Sequence, residues 1–266
     1  MNDAPAARPP VETTEDAVLN GQLILRQPRR GHRFGHDAIL LAAATGAAPG
    51  EQAVDLGAGV GAAGLALAWR VPDLTVTLIE IDPALAALAA ENAERNGLGH
   101  RVSALTLDAT APRLQLAAAG LKASSLDHVL MNPPFNDPTR AKLSPDPDRR
   151  KAHAADPRSL RQWIDSAAWL LPPQRVLTLI WRADRLGDLL ASLSSDFGGI
   201  TILPIHPRPD APAHRILVRA HRASRGPLAL LPGIVLADAA GRPTLEAESV
   251  LRSGQKLPLA DRAACK

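Results

Sequence analysis

The sequence predicts an α/β fold built around a mostly parallel sheet with helices on both faces. Seven apolar, β-rich segments alternate with helical patterns along the chain, which is typical of a sheet covered on both sides. The Pro-rich stretch 204–212 is too short for a crossover helix, so we expect the last strand to run antiparallel. The strand candidates lie near residues 51–56, 74–80, 102–107, 126–131, 175–181, 199–205 and 214–220.

Length and composition favour one large domain with a modest extension. The chain has 266 residues, which is enough to bury a substantial core. We expect residues 1–18 to form a disordered arm, 19–225 the α/β domain and 226–266 an extension packed on it. The arm lacks the apolar run of a signal peptide or membrane span, and Cys265 is the single cysteine. These features predict a cytoplasmic protein.

A glycine-rich loop, DLGAGVG at residues 55–61, follows a short strand candidate and precedes a helix candidate at 62–69. Glycines let the backbone approach a ligand, and a helix N-terminus offers unpaired N–H groups, so the pattern indicates a nucleotide site. The alternatives are a plain turn and a dinucleotide site, because Gly59, Gly61 and Gly64 fit that fingerprint. Asp55 argues against pyrophosphate, which it would repel, and suits a ligand with a cationic amino-acid end.

Acidic residues stand at the ends of the next two strand candidates. Glu80 lies about twenty residues after the glycines, where a carboxylate can bind ribose hydroxyls, and Asp82 could compete for this role. Asp108 follows the next strand and is placed to meet an adenine amine. Each acid alone fits a solvated loop or a helix cap, as Asp82 does before the predicted helix 83–96. Together they indicate a ligand along one edge of the sheet.

The tetrapeptide NPPF at residues 132–135 directly follows the apolar run 126–131. Consecutive prolines fix φ and remove backbone donors, so this segment is stiff. In it the Asn132 side-chain oxygen and the Pro133 carbonyl can accept hydrogen bonds from one NH2 group, while Phe135 offers a flat face to the attached ring. A Pro-rich turn at a strand end is the alternative interpretation.

The loop at 55–61, Glu80, Asp108 and NPPF together resemble the S-adenosylmethionine-dependent class I methyltransferases over about residues 30–185. Within that family, NPPF or NPPY implies methylation of an exocyclic or amide nitrogen of adenine, guanine or glutamine. Residues 27–37, QPRRGHRFGHD, and the segment 144–153 resemble bacterial tRNA (adenine-N(6))-methyltransferases that modify position 37 of a valine tRNA. Two departures are present: Lys-Ala-His-Ala replaces the usual Ala-Arg-His-Glu, and Phe135 replaces the usual Tyr, as also occurs in ribosomal guanine methyltransferases.

The resemblance implies a seven-stranded class I methyltransferase sheet, S-adenosylmethionine as cofactor and no metal. It assigns the catalytic role to Asn132, Pro133 and Phe135. The implied cofactor-binding residues are Arg33, Phe34, Asp37, Asp55, Gly57, Gly59, Gly61, Glu80, Asp108 and Asn132. The implied RNA-binding residues are Arg140, Arg149, Arg150 and Lys151.

Charge is distributed unevenly along the chain. The net charge is only +3, yet acids outnumber bases ten to five between residues 38 and 139, and basic blocks lie at 26–33, 140–161 and 208–225. A basic rim around an acidic cofactor fold favours a phosphate-backbone substrate. Solvated loops in an Arg-rich composition are the alternative explanation. We interpret His36 and His153 as RNA contacts or structural residues rather than as bases.

These patterns predict transfer of a methyl group from S-adenosylmethionine to the 6-amino group of adenine in a tRNA anticodon loop. The alternatives are a guanine-N(2) methyltransferase of ribosomal RNA, a protein glutamine N-methyltransferase and a non-catalytic nucleotide-binding module. RNA is the expected partner, no membrane contact is predicted, and the oligomeric state is left open.

Overall fold

The computed structural model describes residues 12–31, 33–134 and 157–261. The strands are β1 Thr13–Val18, β2 Leu23–Pro28, β3 Gln52–Leu56, β4 Thr75–Glu80, β5 Val102–Thr106, β6 His128–Met131, β7 Val176–Arg182, β8 Phe197–His206, β9 Arg215–Arg222, β10 Ala229–Leu230 and β11 Ile234–Val235. The helices are α1 His36–Ala44, α2 Ala62–Arg70, α3 Pro83–Arg95, α4 Arg113–Ala118, α5 Pro157–Leu170, α6 Leu186–Leu193 and α7 Leu245–Leu251.

The central sheet has the strand order β8-β9-β7-β6-β3-β4-β5. The neighbours from β7 to β5 all pair in parallel, whereas β9 runs antiparallel to both β7 and β8. The predicted mostly parallel seven-stranded sheet with an antiparallel last strand is therefore confirmed. The two-residue strands β10 and β11 extend it by pairing in parallel with β8.

Helices cover both faces of the sheet, as predicted. On one face Ala53 and Leu130 join residues of α1, α2 and α3 in a hydrophobic cluster. On the opposite face Val54 and Val129 join residues of α4, α5 and α6. Neighbouring residues enter different clusters because successive side chains of a strand point to opposite faces, which is why these strands are apolar throughout.

Local sequence signals set the bounds of α3. The Oδ1 of Asp82 accepts a hydrogen bond from the Ala84 amide at 2.8 Å, and Pro83 occupies the first helical position. Gly97 follows the helix with a φ of 70°. Asp82 is therefore the helix cap that the sequence indicated.

Residues 13–28 form an antiparallel hairpin, so the predicted disordered arm over residues 1–18 is wrong for residues 13–18. The chain reverses through Leu19 and Asn20, with φ of 52° and 53°, and then Gly21 at 81°. Asn-Gly favours this kind of turn. The polar composition of β1 did not indicate a strand. Its polar side chains bond within the hairpin, since Asp16 accepts a hydrogen bond from the Gln27 side chain at 2.8 Å. Residues 1–11 lie outside the described residues.

The segment after residue 226 packs on the same sheet and helices. Besides β10 and β11, the Leu257 amide donates to the carbonyl of Ala43 at 2.8 Å, next to the C-terminal end of α1. The buried guanidinium of Arg219 on β9 donates to the carbonyls of Leu259 and Asp261. Among the helices of the described ranges, none is long and apolar enough to cross a membrane.

Candidate active site

The glycine loop and NPPF leave the sheet side by side. Leu56 of β3 pairs with Met131 of β6, so Gly57 and Asn132 are the next residues on two adjacent strands. Adjacent strands lie about 4.8 Å apart. The carboxyl edge of the parallel sheet thus brings together two motifs that are far apart in sequence.

The glycine loop is closed at Gly57 and open at Gly59. Gly57 has a φ of 71°, and a Cβ placed there would lie 2.5 Å from Cη2 of Trp163 on α5. Gly59 has a φ of 58°, and a Cβ placed there would meet no atom within 4 Å. A bare backbone beside open space at Gly59 suits the close approach of a ligand. Gly61 begins α2 as its N-cap residue.

Glu80 is buried at the end of β4 and binds the glycine loop. Its Oε2 accepts a hydrogen bond from the Gly59 amide at 2.9 Å, and its Oε1 accepts one from the Asp82 amide at 2.9 Å. Each carboxylate oxygen has a second lone pair, so Glu80 can also accept from hydroxyl donors. The predicted ribose-binding acid therefore also shapes the loop.

Asp55 lies within β3 and is only 2% exposed. Its Oδ2 accepts a hydrogen bond from the Gly64 amide, in the first turn of α2, at 2.9 Å. Burial raises the pKa of Asp55 to about 7; the Gly64 hydrogen bond opposes this rise, and the negative charge of Glu80 adds to it. Asp55 therefore stabilises the start of α2, and its contact with a cationic ligand stays a prediction.

Asp108 lies two residues beyond β5, at the same edge of the sheet. The last residue of β5, Thr106, pairs with Glu80, which places the two acids at neighbouring strand ends. The Asp108 Oδ1 accepts from the amide of Thr110 at 2.8 Å and from its hydroxyl at 2.7 Å. This local turn fixes the carboxylate.

Asn132 presents an acceptor without a partner. Its Oδ1 is buried and has no hydrogen-bond partner among the described residues. Pro133 is buried and Pro134 is exposed, so the segment reaches the surface directly after Pro133. A buried carbonyl oxygen without a donor is unfavourable unless a ligand supplies one. The predicted Phe135 lies outside the described residues.

Sequence reasoning missed two apolar residues at this edge. Ile81, between two acids, is 63% exposed although it is a large hydrophobic residue. Trp163 is half-buried and packs against Gly57. Ile81 had a signal in the sequence, because an apolar residue between two acids at a strand end is unusual. Trp163 had no such signal, since α5 comes about a hundred residues after the glycine loop that Trp163 contacts.

The predicted residues Arg33, Phe34 and Asp37 are tied to other parts of the fold. Arg33 donates to the Asp16 carboxylate of the hairpin at 2.9 Å, and the Phe34 amide donates to the Gln27 side chain at 3.1 Å. Asp37, in the first turn of α1, accepts from Nε of Arg215 at 2.9 Å. These contacts join the hairpin, α1 and β9.

Many arginines of the basic blocks are engaged inside the fold. Arg26 pairs with Glu91 on α3, Arg161 pairs with Asp196, and Arg219 is buried. The predicted place in a phosphate-binding rim is therefore wrong for Arg219, whereas the side chains of Arg26 and Arg161 are 34% and 36% exposed beside their acidic partners. Exposed Arg30 and Arg208 have no ion pair within the described part of the chain. The predicted RNA-binding residues Arg140, Arg149, Arg150 and Lys151 lie outside the described residues, as does His153.

Comparisons with known proteins point to one family. The methyltransferase small domain family model matches residues 35–144, which include the glycine loop, Glu80, Asp108 and NPPF. A tRNA1(Val) (adenine(37)-N6)-methyltransferase from Porphyromonas gingivalis is 34% identical over 162 residues, 59% of this chain and 61% of that protein. One of the same name from Bacteroides fragilis is 29% identical over 188 residues, 70% of this chain and 76% of that protein.

A solved structure extends this similarity to nearly the whole fold. A predicted O-methyltransferase from Agrobacterium tumefaciens matches with a TM-score of 0.70 and 28% identity, over 83% of this chain and 98% of that chain. The chain has the fold of this methyltransferase structure, and residues 35–144 carry the family match. The glycine loop follows the first parallel strand of the sheet, and Asn132 follows the fourth. The chain spans 61% of the length of the first curated relative that it matches.

Proposed function

We propose that this protein is a class I methyltransferase that transfers a methyl group from S-adenosylmethionine to the 6-amino group of an adenine in tRNA. The buried Oδ1 of Asn132, which has no hydrogen-bond partner among the described residues, supports this proposal most directly. It is an acceptor fixed by two prolines at the edge of the sheet, beside the glycine loop. An exocyclic amine supplies the N–H donor that this oxygen needs.

The cofactor fits the residues around the glycine loop. The open backbone at Gly59 accommodates its amino-acid end, Glu80 accepts from ribose hydroxyls, and Asp108 accepts from the adenine amine. Exposed Ile81 offers an apolar surface to the adenine ring. When bound, S-adenosylmethionine supplies a methyl group already activated on a sulfonium. The protein then has to align the acceptor with it.

The NPPF segment orients the acceptor amine. The lone pair of an adenine amine is delocalised into the ring, which makes the nitrogen a weak nucleophile. With Asn132 Oδ1 accepting one N–H and the Pro133 carbonyl accepting the other, both hydrogens are held and the lone pair is directed toward the glycine loop. The base is splayed out of a loop to reach the site, and stacking on Phe135, which lies outside the described residues, stays a prediction. The nitrogen loses its proton after the attack.

The choice of RNA rests on the relatives and on the charge beyond Asn132. Both curated relatives are named for methylation of adenine 37 in a valine tRNA. Exposed Arg208 lies in the loop between β8 and β9, at the edge that carries Asn132, whereas Arg182 and Arg215 at the same edge form ion pairs with Asp184 and Asp37. Arg140, Arg149, Arg150 and Lys151 add charge directly after NPPF. Positive charge suits a phosphate backbone, and a tRNA substrate is in keeping with the expected cytoplasmic location.

Two experiments test the proposal. Calorimetry with S-adenosylmethionine and with NAD checks the cofactor, and binding of NAD alone would overturn the assignment. The protein is then incubated with labelled S-adenosylmethionine and total RNA from cells that lack it, and the RNA is digested to nucleosides. We expect label in N6-methyladenosine from tRNA and none with Asn132→Ala. Label in N2-methylguanosine, or in protein only, would contradict the proposed substrate.

A further inference from the structure

Asn92 of α3 is a fully buried amide that joins the N-terminal hairpin to the glycine loop. Its Oδ1 accepts from the Arg26 amide at 2.7 Å. Its Nδ2 donates to the Arg26 carbonyl at 2.9 Å and to the Val60 carbonyl at 3.0 Å. Both N–H bonds of the side chain and its oxygen are therefore in use, which leaves no freedom for the amide to rotate.

Asn96, one helical turn later, makes the same pair of bonds to the hairpin but does not reach the loop. Its Oδ1 accepts from the Ile24 amide and its Nδ2 donates to the Ile24 carbonyl, both at 2.9 Å. The i, i+4 spacing places Asn92 and Asn96 on one face of α3, where together they replace a neighbouring strand along the free edge of β2. The two residues differ in the partner of their third bond: Nδ2 of Asn92 donates to the Val60 carbonyl of the glycine loop, whereas Nδ2 of Asn96 donates to the Asn92 carbonyl at 2.7 Å.

The hairpin in turn holds the segment that leads into α1. Next to Arg26, the Gln27 side chain accepts from the Phe34 amide at 3.1 Å, and its Nε2 donates to Asp16. Asp16 also accepts from Arg33. A continuous set of hydrogen bonds thus runs from Phe34 through the hairpin and Asn92 to the glycine loop.

The glycine loop is held at three successive residues. The Ala58 amide donates to the Ile79 carbonyl at 2.8 Å, the Gly59 amide to Glu80, and the Val60 carbonyl accepts from Asn92. The first two bonds come from β4, and the third comes from α3. Asn92 therefore fixes the orientation of the peptide that links Val60 to the start of α2.

We propose that Asn92 is a positioning residue for the cofactor, through which the hairpin sets the conformation of the glycine loop. This inference rests on the proposed function. Asn92 does not belong to the predicted binding residues, and it acts on the ligand only through the Val60 carbonyl. The hairpin is then part of the cofactor site without contributing a side chain from β1 or β2 to it.

The test compares Asn92→Ala with Asn96→Ala by calorimetry with S-adenosylhomocysteine. Each variant loses three bonds, two to the hairpin and one to Val60 in Asn92→Ala or to the Asn92 carbonyl in Asn96→Ala, and we expect similar losses of thermal stability. Loss of the Val60 bond in Asn92→Ala should weaken binding roughly tenfold, a factor that corresponds to about 1.4 kcal/mol. Asn96→Ala should bind within about twofold of the unaltered protein. Equal affinities of the two folded variants would overturn the proposal, whereas absence of binding to the unaltered protein would instead contradict the proposed function.

Hydrogen exchange keeps the inference testable if Asn92→Ala does not fold. In the unaltered protein and in Asn96→Ala, saturation with S-adenosylhomocysteine should slow exchange of the Arg26 amide several-fold, because that amide donates to Asn92. If the Arg26–Asn92 hydrogen bond strengthens ligand binding, ligand binding must strengthen this hydrogen bond by the same free energy. Unchanged exchange at Arg26 in the saturated protein would contradict the coupling.

Discussion

The main-chain amide of Gly59 donates a hydrogen bond to Oε2 of Glu80 at 2.9 Å. The acid at the end of β4 therefore fixes the most open point of the glycine loop, where a Cβ would meet no atom within 4 Å. The carboxylate that we propose as a ribose-binding group thus also supports the backbone of the glycine loop. Changes at Glu80 should affect binding by both routes.

We expect Glu80→Gln to weaken S-adenosylmethionine binding about tenfold or more. The Gly59 and Asp82 amides donate to different oxygens of Glu80, and Gln replaces one of these oxygens by an NH2 group, so one donor loses its acceptor at a cost of about 1–3 kcal/mol. Calorimetry measures the binding. Asp82→Asn is the matched control, because it removes the same charge from a residue that caps α3 and does not hold the loop. Equal effects of the two variants would show that charge alone matters.

Gly57→Ala should destabilise the fold more than Gly59→Ala does. Both sites have positive φ, which costs an L residue about 1–2 kcal/mol. At Gly57 the new methyl group would also overlap the Trp163 indole, adding about 1–3 kcal/mol of strain. Urea denaturation measures the difference. Gly57→Ala should lower the free energy of unfolding less in a Trp163→Ala background than in the unaltered protein. Equal losses in the two backgrounds would contradict the contact between Gly57 and Trp163.

Asn132→Ala should lower the rate of methyl transfer about a hundredfold or more, because one of the two acceptors that orient the amine is lost. The affinity for S-adenosylmethionine should change by less than about threefold, since the acceptor faces the substrate amine. Single-turnover kinetics with a tRNA substrate and calorimetry separate the two effects. Retention of full activity would remove the role assigned to Asn132 Oδ1.

Asp55 predicts a specific dependence of stability on pH. Its pKa is raised by burial to about 7 in the folded protein and lies near 3.8 in the unfolded chain, so the folded state holds the proton more tightly. The free energy of unfolding should therefore fall as pH rises from about 4 to about 7, and its Asp55 contribution should be constant above that.

The matched variant Asp55→Asn keeps an acceptor for the Gly64 amide and has no proton to lose. The free energy of unfolding of Asp55→Asn relative to that of the unaltered protein should rise by up to about 4 kcal/mol between about pH 4 and about pH 7. Urea denaturation at pH 5, 6, 7 and 8 provides the comparison. Parallel stability curves would rule out a raised pKa at Asp55.

The sequence predicted the architecture and the edge that carries the candidate site. Alternation of apolar strands and helices specified the parallel sheet, and the short link between β8 and β9 specified their antiparallel pairing. Glycines, acids and NPPF at strand ends were readable because each signal lies within a few residues. The hairpin at residues 13–28 also had a local signal, Asn20-Gly21, which its polar composition hid.

Tertiary structure decided which side chains act together. Trp163 packs against Gly57, and Asn92 joins β2 to Val60. Arg26 and Arg161 form ion pairs with acids. The local sequence around each of these residues did not indicate its partner. Periodicity reports which face of an element is buried, because burial depends on the spacing of apolar residues within that element. Hydrogen-bond partners from distant segments depend on how helices and strands pack, and no local pattern carries that information.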